Sequence, residues 1–107
     1  MVAVIKGRRI AFRRVAEAAL SNAETIVARW LPNGRREGRE WVSINPVRND
    51  AKAGSFKVNT STGAWSDFAT GSAGGDLVSL AAYLNNLNQG AAAIRVAAML
   101  GIDPYES

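Results

Sequence analysis

Apolar and polar residues recur along this chain with two different periods, and each change of period marks a change of element. Val15, Ala18 and Ala19, and then Ile26, Val27 and Trp30, fall at helical spacing. That predicts helices over Ala11–Ala19 and Ala23–Leu31. Ser21 or Asn22 is suited to cap the second helix, and Pro32-Asn33-Gly34 stops it. From Glu40 to Ile44 the period drops to two, with Trp41 and Ser43 on one face and Val42 and Ile44 on the other, which reads as a strand ended by Asn45-Pro46.

The same alternation continues beyond the polar loop Val47–Gly54. Phe56 and Val58 share one face and Lys57 and Asn59 the other, followed by turn chemistry at Asn59–Gly63 and a return strand over Ala64–Phe68. A glycine-rich stretch, Gly71–Gly75, then runs into Asp76, an N-cap for a helix whose stripe is Leu77, Leu80, Ala81 and Leu84. After a break at Asn85-Asn86, Asn88 caps a last helix carrying Ala93, Val96, Ala97 and Leu100, with Gly101 as its C′ stop. The alanines predict that these two helices approach closely. Met1–Ile10 reads either as a loose arm or as a first strand.

The pattern gives an α+β fold: a small antiparallel sheet of about three strands, flanked by N-terminal and C-terminal helices. At 107 residues the chain is expected to form a single domain. Its parts are a helical segment over residues 1–34, sheet and hairpin over 35–76, and a helix pair over 77–101.

Composition narrows the chemistry. Hydrophobic residues make up 48% of the chain, which suits a folded domain. No run approaches the ~20 apolar residues of a membrane helix and no signal peptide is recognisable, so a soluble cytoplasmic protein is expected. Cysteine and histidine are both absent, removing disulfides, thiol nucleophiles, imidazole bases and the usual zinc ligand sets. The nine acids form no clustered pair of the kind that holds catalytic metal ions. Neither an enzyme nor a bound cofactor is expected.

Charge is distributed unevenly. Residues 1–52 carry eleven Lys and Arg against five Asp and Glu, whereas residues 53–107 carry two against four. Ten of the thirteen cations are arginines, the side chain suited to planar, bidentate phosphate contact.

Several pieces of the second half together resemble a known family. Asn45-Pro46, the GSFKVN strand, Gly63-Ala64-Trp65, the DFATG turn, GGD at 74–76 and the LVSLAAYL and AAMLGI helices are similar, in order and spacing, to the N-terminal zinc-ribbon domain of DNA primases. They look most like the metal-free version found in phage and plasmid primase-helicase proteins. The upstream RWLPNGRREGREW segment fits the same group. Where zinc-binding members have three cysteines and a histidine, this chain has Asn45, Arg48, Asp67 and Thr70, so a thiolate zinc site is ruled out. The resemblance implies a zinc-ribbon-like sheet without zinc, in which packing of Trp65, Phe68, Trp41 and Phe56 takes the metal's place. It also implies an accessory module of replication priming that holds single-stranded DNA for a primase or helicase, in the same chain or separate.

Single strands are held by cations along the phosphates and aromatic faces against the bases. The candidate residues are Arg35, Arg36, Arg39, Arg48, Lys52 and Lys57 for the first role and Trp65, or else Trp41, for the second. Lys57 and the Arg35–Arg39 loop are expected on one side of the sheet. The alternative is a protein-interaction adaptor that docks on a replication protein without touching DNA.

Overall fold

The computed structural model describes residues 8–48 and 54–106. Among these residues are four helices and a five-stranded antiparallel sheet, in the order α1 (Phe12–Leu20), α2 (Ala23–Trp30), β1 (Arg35–Glu37), β2 (Glu40–Ser43), β3 (Phe56–Asn59), β4 (Trp65–Asp67), β5 (Ser72–Gly74), α3 (Leu77–Asn85) and α4 (Gln89–Leu100). The strands form a meander in chain order, β1-β2-β3-β4-β5. The α+β class holds, but the sheet has five strands where the sequence predicts about three. The extra two are its edges. β1 arises from the arginine stretch expected to be a loop, and β5 from the glycine-rich stretch before Asp76. Both are short and lack hydrophobic alternation, so they form by pairing with a stronger neighbour. Of the arm or strand expected over Met1–Ile10, residues 1–7 lie outside the described residues.

Register assigns each side chain to a face. Trp41 pairs with Val58 and Ser43 with Phe56, and these in turn pair with Trp65 and Asp67. Directly paired residues share a face, so Trp41, Phe56, Val58 and Trp65 form one side, and all four helices gather on it. Phe56, Val58 and Trp65 join Val15, Ile26, Val27, Leu77, Val78, Leu80 and Val96 in one core. Full burial of side chains of this size stabilises by roughly 1.5–3 kcal/mol each. Ala81, Ala82, Ala92, Ala93 and Ala97 are buried as well, which lets α3 and α4 pack closely.

The ends of these elements follow their capping residues. Asp76 accepts from the Ser79 amide at 2.8 Å and the Ser79 hydroxyl reaches back to the Asp76 amide, completing a capping box on α3. Asn88 Oδ1 accepts from the Ala91 amide at 2.8 Å at the start of α4, and Gly101 ends that helix with φ 72°. Neither α1 nor α2 has a side-chain cap; burial of their apolar faces holds them instead.

Residues around α1 also fix the end of the chain. The Ala11 amide donates to Pro104 O at 2.7 Å, and the Arg14 guanidinium donates to the carbonyls of Asp103 and Tyr105. Arg8 lies 4.4 Å from the centre of the Tyr105 ring. These two arginines, part of the basic excess of the first half, therefore act within the fold.

Gly74 is a point of close approach. A Cβ there would collide with Ser79 Oγ and the Trp65 indole nitrogen, whereas one at Gly75 would meet nothing within 4 Å. Gly74→Ala is expected to lower stability by about 1–3 kcal/mol through overpacking, with Gly75→Ala nearly neutral; denaturant midpoints of the two variants check this. Among the described residues, no helix is long and apolar enough to cross a membrane.

Candidate functional site

Two turns at one end of the central strands meet around a single carboxylate. Asn45 follows β2, Asp67 ends β4, and both are fully buried. Asn45 Nδ2 donates to Asp67 Oδ2 at 2.7 Å and to the Tyr83 hydroxyl at 2.9 Å. Arg48 Nε donates to the same Asp67 oxygen at 2.9 Å. Each of the two residues also folds its own turn, as asparagine and aspartate do when they accept from an amide two residues on. Asn45 Oδ1 takes the Val47 amide and Asp67 Oδ1 the Ala69 amide, each at 2.9 Å. The Thr70 and Gly71 amides close on Asp67 O at 3.2 and 2.8 Å.

Burial by itself raises the Asp67 carboxyl pKa. Hydrogen bonds from Asn45, the Ala69 amide, Arg48 and Ser55 outweigh it and bring the pKa from 3.8 to about 2. Of the four residues at the positions where the resembled family has zinc ligands, Asn45 and Arg48 thus meet at the Asp67 carboxylate, and Thr70 bonds only to the Asp67 main-chain carbonyl. Among the described residues no group of three or more His, Cys, Asp or Glu side chains is placed to hold a metal ion.

This geometry corrects the expectation that aromatic packing alone fills that place. Phe56, Trp65 and Tyr83 do form a cluster beside the polar network, with ring centres 4.8–6.2 Å apart. Trp41 is half-buried and donates its indole N–H to Leu31 O at 2.9 Å. Phe68, in contrast, is 73% exposed. It immediately follows Asp67, so alternation turns it away from the helices.

The expected binding residues divide between the two sides of the sheet. Arg35 pairs with Val42, and Val42 with Lys57, so one cross-strand row carries two cations on the face opposite the helices. Arg36 is on the other face. It pairs with Trp41 in register and its guanidinium meets Glu24 of α2 at 3.1 Å. The expectation that the whole Arg35–Arg39 segment shares a side with Lys57 is therefore corrected: in a strand, neighbours point apart. Arg39 occupies the two-residue turn Gly38-Arg39, where Gly38 takes φ 63° as the first central position of a tight hairpin requires.

Arg48 is engaged with Asp67, and Lys52 lies outside the described residues. Trp65 is only 6% exposed, with its indole N–H on Ser79 Oγ at 2.9 Å. It is a core residue and offers no face to a base. The aromatic residue on the outer face is Phe68, with Lys57 Nζ 5.9 Å from its ring centre. The sequence did carry that signal, because Trp65 and Phe68 are three residues apart in a strand-like run and so point to opposite sides.

Both outer-face cations have carboxylate neighbours. Arg35 contacts Glu37 at 2.7 Å and Lys57 approaches Glu40 at 4.0 Å. These exposed pairs are weak in water, so a phosphate can compete with them. Compared with models of protein families and with curated proteins, the sequence matches none.

Proposed function

We propose that this chain is a nucleic-acid-binding accessory module of replication priming, which holds single-stranded template for a separate primase or helicase and has no catalytic site of its own. The observation that carries the binding part is the row Arg35–Val42–Lys57, which sets two cations on either side of the buried Val42 on the sheet face opposite the helices, with Arg39 in the turn at the end of β1. The link to priming rests on the sequence resemblance to primase zinc-ribbon domains. The hydrogen bonds of Asn45 and Arg48 to Asp67 support it, because they join two turns at positions where zinc-binding members of that family carry their ligands.

Phosphate contacts release counterions, so affinity should fall steeply with salt. With three phosphate contacts, from Arg35, Arg39 and Lys57, raising salt from 50 to 200 mM is expected to weaken oligonucleotide binding by about 20-fold. Lys57→Glu should weaken binding at low salt and flatten that dependence. Fluorescence anisotropy of a labelled single strand measures both. Absence of binding by the wild-type chain at low salt would remove the nucleic-acid reading and leave the alternative, an adaptor that docks on a replication protein.

A further inference from the structure

The fold holds a large aromatic ring out in solvent on a rigid mount. Phe68 is 73% exposed, yet the backbone around it is fixed on both sides. Its own amide donates to Ser55 O at 3.0 Å, the Ala69 amide to Asp67 Oδ1 at 2.9 Å, and the Gly71 amide to Asp67 O at 2.8 Å. Asp67 is itself buried and clamped by Asn45 and Arg48. In the facing turn Val47 is 51% exposed, and this turn is tied to the first through the Asn45–Asp67 hydrogen bond. Rigid presentation of this kind reduces the ordering cost of binding.

The surroundings of the ring identify what it fits. Lys57 is 5.9 Å from the ring centre, and Arg35 lies in the same cross-strand row. An exposed π-face with Lys57 beside it, and Arg35 two strands further along the same row, matches a polymer of flat bases on an anionic backbone, the pairing that single-strand-binding surfaces use. Charge complementarity therefore favours a nucleic acid over an apolar protein segment, which would cover Lys57 and Arg35 without adding any counter-charge to their weak pairs with Glu40 and Glu37.

We propose that Phe68 is a base-stacking platform for single-stranded nucleic acid, with Lys57 and Arg35 on the flanking phosphates and the Asp67 network as its mount. The inference rests on reading the outer sheet face as a nucleic-acid surface, and adds to it the subsite where a base is held.

The test compares short oligo-dT with an abasic oligonucleotide of equal length and charge. Phe68→Ala should weaken oligo-dT binding by about 5- to 150-fold, the range for loss of one stacked base, and leave abasic binding unchanged. Phe68→Trp should restore oligo-dT affinity and Phe68→Leu should not, because leucine supplies apolar area without a π-face. Thermal midpoints close to wild type, expected for so exposed a side chain, would show that the variants are folded. Equal loss on both oligonucleotides, or restoration by leucine, would overturn stacking while leaving the phosphate-binding face in place. Unchanged oligo-dT affinity in Phe68→Ala would do the same. Wild-type protein that binds neither oligonucleotide at low salt would overturn the stacking platform together with the functional reading beneath it.

Discussion

Asp67→Ala is expected to destabilise the fold by about 3–5 kcal/mol, from the loss of a charge-assisted hydrogen bond, about 1.5–3 kcal/mol, and a buried polar group left unsatisfied, about 1–3 kcal/mol. The loss has two parts. Arg48 gives up its 2.9 Å contact with a buried carboxylate, and Asn45 is left in the interior with one amide hydrogen lacking the acceptor it has at 2.7 Å. Small domains are stable by only 5–15 kcal/mol in total, and ~3 kcal/mol corresponds to a fall of about 15 °C in melting temperature for a domain of this size. Calorimetry of the variant checks the magnitude. An Arg48→Met, Asp67→Leu double variant that recovered much of the loss would place the penalty in the stranded partner.

The same network predicts the response to acid. The folded Asp67 carboxyl titrates at about 2 against an ordinary 3.8, so its folded pKa lies below its unfolded one. Its contribution is therefore complete above the unfolded pKa and disappears as pH falls through about 3.8 to 2. That interval is worth roughly 2 kcal/mol. Denaturant unfolding at pH 6 and pH 2.5 should show the wild type losing more stability than Asp67→Ala.

The second large effect is expected at Phe56. Its ring is fully buried, 6.1 Å from Trp65 in an edge-on arrangement and 6.2 Å from Tyr83. Phe56→Ala removes that ring from the middle strand of the sheet and leaves a cavity against α3, at an expected cost of about 3–5 kcal/mol. The equivalent change at Phe68 should alter stability by less than about 0.5 kcal/mol. Urea unfolding of the pair measures the contrast. Equal losses would mean that the Phe68 ring packs somewhere in solution.

These two phenylalanines also show how far the sequence could be read. Every helix and the strands β2, β3 and β4 were legible, because their apolar residues repeat at 3.6 or at 2 and their caps, Asp76, Asn88 and Gly101, are chemically distinctive. The edge strands were not, since Arg35–Glu37 and Ser72–Gly74 carry no hydrophobic alternation and form only against β2 and β4. Without β1 in view, Arg35 and Arg36 read as one basic loop; pairing places them on opposite faces. The resemblance sets Asn45, Arg48 and Asp67 at one family site, but neither periodicity nor spacing shows the hydrogen-bond network they form. An aspartate reads as a surface residue until it is known that Asn45 and Arg48, about twenty positions earlier, are brought against it. Trp65 and Phe68 share residue type, but their odd spacing puts one in the core and the other on the outer face.

The two borders of the sheet differ in the charge they present to a strand from another copy. On one side β1 offers Arg-Arg-Glu, and such charges discourage another strand from adding. On the other, β5 offers Ser-Ala-Gly with no charge at all. Crowding that forced strands together would therefore join molecules through the uncharged border, back to back about a two-fold axis, and each pair would then show only its charged borders to the solvent. Such pairing ends at two molecules and does not extend into a fibre.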